Sequence, residues 1–150
     1  MAIPETAIFG GTLREGPLAA VVAGDLGHER HYTVEQANAA LPWVSERLDR
    51  IDAALEVLDE PASTQALADL DPTHGPSYPG RRVAAAVLDL LGATTQLEAL
   101  DIVLRDPRRG LVDFPAIRDG NEVYQCWERI EQRVAWWHDP QAGFAGRRPL

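Results

Sequence analysis

The chain has 150 residues, 45% of them hydrophobic and 25% charged, with a formal net charge of −9 and a pI near 4.8. That length suits one domain around one core, and so acidic a balance argues against nucleic acid, whose phosphates call for a dense basic surface. All 14 basic residues are arginine, which excludes a catalytic lysine, a Schiff base and a P-loop, while the lone Cys126 excludes an internal disulfide and a four-cysteine zinc site.

No apolar run approaches the roughly 20 residues of a membrane helix, and the start MAIPETAIFGG does not read as a secretory signal. The expected setting is cytoplasmic, with no membrane contact. Residues 1–31 read as an irregular, glycine-bearing lead-in in which LAAVVA could add one strand. His28 and His31 fall there with a spacing one short of a zincin motif, and a loop or capping role outweighs ligation.

Thr33 and Gln36 have capping-box spacing, which starts a helix. From there Val34, Ala37, Leu41, Val44, Leu48, Ile51, Leu55 and Leu58 alternate three and four apart, placing all eight on one helical stripe. Pro42 cannot donate to the Asn38 carbonyl, so a kink or restart is expected there. Residues 59–82 read as a connection with a short helix around 64–70 and an uninformative His74. A second helix over 82–100 should turn Val83, Val87, Leu90, Leu91, Thr94 and Leu97 toward the first, giving a long antiparallel helical hairpin over 33–100.

After Asp101 the period becomes strand-like. Asp119-Gly120 suits a two-residue type I′ turn, and counting outward pairs Arg118 with Asn121, Ala116 with Val123, Phe114 with Gln125, Asp113 with Cys126 and Val112 with Trp127. Val112, Phe114, Ala116, Val123 and Trp127 then face the helices, and Asp113, Tyr124, Cys126 and Glu128 face away. Residues 134–138 make a third strand. A three-residue loop around 130–132 pairs Tyr124 with His138 and brings the imidazole to Asp113 and Cys126; a two-residue loop turns it to the other side. The fold class is therefore α+β: a helical hairpin followed by a small antiparallel sheet of three or more strands over 101–150.

The segments HYTVEQANAALPWV (31–44), GLVDFPAIRDGNEVYQCWERIE (110–131) and VAWWHDPQAGFAGRRPL (134–150) resemble the DUF2203 family, small bacterial proteins without an assigned function. The resemblance spans about two-thirds of the chain and implies a helical hairpin with a small antiparallel sheet, and no reaction. The positions that carry it are Thr33, Glu35, Asn38, Pro42, Gly110, Asp113, Pro115, Gly120, Cys126, Trp127, Glu131, His138, Gly143, Gly146 and Arg147. Ile130 departs from the family's turn glycine, and residues 1–30 extend beyond its usual start.

Asp113, Cys126 and His138, with Glu35 from the helix start, supply the O, S and N donors that bind zinc or ferrous iron. The same residues also fit a partly buried cysteine with satisfied polar neighbours, or a Cys126 nucleophile, which the acidic surroundings disfavour. Glu128 and Glu131, near a hairpin loop, read as solvated rather than as an acid–base pair. Trp136 could form an aromatic wall, and Arg147 and Arg148 in GFAGRR could meet an anionic ligand, although a solvated or partner-docking tail is the plainer reading. Two functions follow. The favoured one is an accessory protein that associates with a protein partner or itself through the helical stripe; the alternative is a metal-dependent protein or enzyme built on Asp113, Cys126 and His138. A concave meeting of polar groups would favour the second, and a flat apolar patch the first.

Overall fold

The computed structural model describes residues 27–69 and 78–150. The expected strand in LAAVVA, most of the lead-in and His74 lie outside the described residues. Three helices precede a five-stranded sheet: α1 (Val34–Asp59), α2 (Pro61–Ala68), α3 (Tyr78–Glu98), then β1 (Val103–Asp106), β2 (Leu111–Arg118), β3 (Asn121–Glu128), β4 (Trp136–His138) and β5 (Arg148–Pro149). The strands follow one another in space in chain order, each antiparallel to the next.

Helix α1 opens on the expected capping box, with Gln36 N donating to Thr33 Oγ1 at 3.1 Å and Thr33 N to Gln36 Oε1 at 2.9 Å. Its buried residues are Ala37, Leu41, Val44, Leu48 and Ile51 of the expected stripe and Ala54, which is not on it, while Val34, Leu55 and Leu58 of the stripe are half-buried. The helix runs without a restart through Pro42. One lost backbone bond is tolerated because Leu41 and Val44 anchor the turn on both sides. Asn38 nearby donates from its side chain to the Val34 carbonyl and accepts from the Val134 N–H, both at 2.9 Å, so it fastens α1 to the approach to β4.

Helix α3 starts at Tyr78 rather than 82, and α2 occupies much of the expected connection. Arg47 Nε donates to Gln96 Oε1 at 3.0 Å, Arg50 pairs with Asp89, and Arg82 with Glu60, which places α3 along α1. The buried side of α3 is Val83, Ala86, Ala93 and Leu97; Leu91, expected inside, is 57% exposed. Alanines at 86 and 93 let the helices approach closely, and that rotates Leu91 out.

The β2–β3 hairpin has the expected register from Leu111↔Glu128 to Arg118↔Asn121. Asp119 and Gly120 have φ of 51° and 78°, the positive pair that a type I′ turn needs. Val112, Phe114 and Trp127 join Leu48, Ile51 and Leu97 in the core, and Ala116, Val123 and Trp137 form a smaller apolar cluster at the far end. Pro115 is tolerated because the β1 pairing stops at Val103↔Asp113; beyond it the Pro115 carbonyl accepts from Tyr32 N at 2.7 Å. Gly110, at φ +66°, could not carry a side chain: a Cβ would lie 2.8 Å from Arg129 Cβ.

Candidate metal centre

Strand β4 pairs Tyr124↔His138, Gln125↔Trp137 and Cys126↔Trp136, the register of the three-residue loop. The chain turns without glycine: Glu131 N donates to the Glu128 carbonyl, Glu131 Oε2 accepts from Glu128 N, both at 2.8 Å, and Ile130 is pushed out to 86% exposure. This register decides the site, because it puts His138 on the same side of the sheet as Asp113 and Cys126.

All three side chains are buried, and one donor atom from each lies within 4.8 Å of the other two. Ligation to a single zinc-like ion calls for separations of about 3.4 to 3.6 Å. His138 Nε2 is 3.1 Å from Asp113 Oδ2, and Nδ1 is 2.8 Å from the Asp139 carbonyl oxygen. A carbonyl only accepts, so Nδ1 carries a proton. A neutral ring then points a lone pair at a carboxylate oxygen, which is repulsive. A proton shared between the two groups relieves that repulsion, and so does a cation placed between them. An imidazole held by a backbone carbonyl through one nitrogen while the other faces inward is the usual posture of a metal ligand.

Asp113 is 1% exposed and its Oδ1 has no hydrogen-bond partner. A carboxylate oxygen left so costs about 1–3 kcal/mol or more. Its other oxygen takes Arg105 Nε at 2.7 Å as well as His138. Burial is the largest influence and works against the Arg105 charge, but the hydrogen bond to Asp113, the carboxylate's charge and Tyr124 together outweigh it and raise the pKa. Burial first, then the Asp113 carboxylate, push the Cys126 thiol up to about 12, with Arg147 pulling the other way. A thiol held neutral like this is not an activated nucleophile, although a metal would deprotonate it. The group opens to a cleft of about 290 Å³ lined by Arg105, Leu111 and the loop 140–144.

The other expected residues are placed differently. Glu35 is exposed on the first turn of α1 and lines a separate cleft with His31, Gln125 and Trp137, so it does not join the three buried donors. Helix α1 packs on the opposite face of the sheet, which explains the separation. Trp136 does stand beside Cys126 across the strands. Arg147 reaches toward Cys126 but donates to Glu131 Oε1 at 2.8 Å and stacks on Phe144, and Arg148 pairs with Asp139. The tail is therefore held on the protein by Arg147 and by the β4–β5 pairing, while residues 148–150 stay exposed. Glu128 and Glu131, expected in solvent, are only 13% and 20% exposed and are held by Arg109 and Arg147.

Sequence reasoning missed Arg105 and Glu122. Glu122 accepts from Gly27 N at 2.6 Å and meets His28 Nδ1 at 2.5 Å and His31 Nε2 at 3.3 Å. His28 and His31 thus clasp the end of the β2–β3 hairpin, and contacts across more than 90 positions leave no spacing signal.

The family model of an uncharacterized conserved protein, DUF2203, matches residues 30–150. The chain belongs to the DUF2203 family. The match takes in all three centre residues and Arg105, and it begins beyond Gly27 and His28 of the clasp. Comparison with curated proteins and with solved structures gives no match. Among the described residues no helix is long and apolar enough to cross a membrane.

Proposed function

We propose that this DUF2203 protein binds one transition-metal ion, zinc or ferrous iron, through Asp113, Cys126 and His138, and presents it to small molecules in the cleft bounded by the loop 140–144. One observation carries the reading: a fully buried aspartate keeps an oxygen without a partner while an inward-facing imidazole nitrogen and the only thiol lie within 4.8 Å. Three protein donors leave a coordination position for a ligand, the arrangement of sites where a metal polarises a substrate or activates water. In this reading Arg105 and the Asp139 carbonyl hold the aspartate and the imidazole in place. The test is elemental analysis of freshly purified, untagged protein beside His138→Ala. Near-stoichiometric zinc or iron that disappears in the variant supports the centre; wild-type protein without metal that also takes up none on incubation sinks it.

A second reading, association with a protein partner or another copy, is supported by another region. Leu67 and Leu88 edge an apolar groove between α2 and α3, and Leu88 and Leu91 are 70% and 57% exposed. Sedimentation of wild type beside Leu88→Glu tests self-association: a wild-type dimer that the variant loses supports it, and a wild-type monomer at high concentration rules it out.

A further inference from the structure

The charges around the triad are unevenly matched. Arg109 Nε donates to Glu128 Oε1 and Arg147 Nη1 to Glu131 Oε1, each at 2.8 Å, so both cations have a carboxylate that is not among the three donors. Arg105 differs, because among the described residues its one carboxylate partner is Asp113 itself. With a divalent ion bound to an ionised Asp113, an ionised Cys126 and a neutral His138, ion and ligands sum to no net charge. The Arg105 charge is then left without a counter-ion at the edge of the cleft.

Arg105 spends its Nε on Asp113 and packs its guanidinium over the Tyr124 ring, 4.8 Å from the centroid, while its side chain stays 41% exposed. The stacked, tethered group also meets the Tyr124 hydroxyl, and its planar fork of five N–H donors still leaves donors over, the geometry that suits a carboxylate. Leu111, Pro140, Ala142 and Phe144 line the same cleft and are apolar, so they suit a carbon body rather than a second charge. One unmatched cation selects a monoanion over a dianion.

We propose that the cleft takes a small-molecule monocarboxylate, its oxygens shared between the metal's open position and the guanidinium of Arg105 and its carbon body against Leu111 and Phe144. This rests on the metal reading above. The experiment uses the full chain loaded with Co(II), whose visible absorption reports on its ligands, titrated with propionate, propionamide and inorganic phosphate, with Arg105→Gln in parallel. The expected result is a saturable spectral change with propionate at concentrations where propionamide does nothing and phosphate binds more weakly. Arg105→Gln should weaken propionate about tenfold or more at unchanged cobalt content. Propionate no tighter than propionamide, phosphate tighter than propionate, or undiminished binding in Arg105→Gln overturns the substrate class while the metal centre stands. Wild-type protein that takes up no cobalt overturns the centre and this proposal together, so the two failures are distinct. If Arg105→Gln loses cobalt through its hold on Asp113, the contrast between propionate and propionamide on wild type decides alone.

Discussion

The two faces of the β2–β3 hairpin are built from alternate residues of the same two eight-residue strands, and they do opposite things. On one face Val112, Phe114 and Trp127 press against Leu48, Ile51 and Leu97 of the helices, a dry contact. On the other, Asp113 and Cys126 meet His138 and Arg105, with one carboxylate oxygen unmatched. Both are buried, so burial alone does not mark a site. What separates them is the chemistry left over: the apolar face keeps one neutral amide oxygen, Gln125 Oε1, without a partner, whereas the polar face keeps a carboxylate oxygen beside an imidazole nitrogen and a thiol, a set of donors that suits a cation.

The two faces should therefore fail separately. The largest effect is expected from Leu48→Asp, which puts a charge among fully buried apolar groups at a cost on the order of 5 kcal/mol or more, enough to remove the folded state. A circular-dichroism melt unchanged from wild type would break the packing assignment. Next is Phe114→Ala, about 3–5 kcal/mol by loss of a fully buried ring, read by urea denaturation. Metal per folded chain should not change in this variant; a loss would mean that the faces are not independent.

In the metal reading, removal of the ion acts on the other face. A ligand that binds only the folded state stabilises by about 2.7 kcal/mol at a free concentration one hundred times its Kd. A chelator should accordingly lower the wild-type melting temperature and leave that of Cys126→Ser and His138→Ala where it was. Equal chelator sensitivity in all three would place the ion elsewhere. Cys126→Ser also separates the roles of the thiol: as a ligand its loss removes metal with little change in the metal-free melt, while as core filling it lowers that melt and leaves the metal.

How much of this was legible depended on whether the signal was local. The Asp119-Gly120 turn and the alternation beside it gave the register of eight residue pairs, and the capping box and stripe gave α1 almost to the residue. The third strand's register stayed open because Ile130 stands where a glycine would have marked the turn; side-chain hydrogen bonds of Glu131 close it instead. Arg105 was invisible because the β1–β2 pairing shifts between Leu104 and Asp106, so alternation counted along the chain fails at that residue. At Pro42 the expected restart does not occur, because a stripe of large buried neighbours outweighs one residue's propensity. Glu35 misled because its place among the family-like positions says nothing about which face of the sheet its helix covers.

The smallest effect lies at the far end of the polar face, where Glu122 shows what a satisfied carboxylate looks like. Burial would push its pKa up, but His28, the Gly27 N–H and His31 outweigh that and hold it below its ordinary 4.5. A folded-state value below the unfolded one means that the clasp stabilises fully above the unfolded pKa and loses its contribution as pH falls through the lowered folded value. Part-exposed pairs of this kind contribute about 1 kcal/mol or less. The wild-type melting temperature should thus exceed that of Glu122→Gln slightly at neutral pH, and the gap should close as the solution is acidified through the carboxylate range. Metal content should be the same in both, because neither Glu122 oxygen is left over for an ion. A gap independent of pH would mean that Glu122 acts by packing alone, and metal lost in Glu122→Gln would mean that the clasp and the centre are one device.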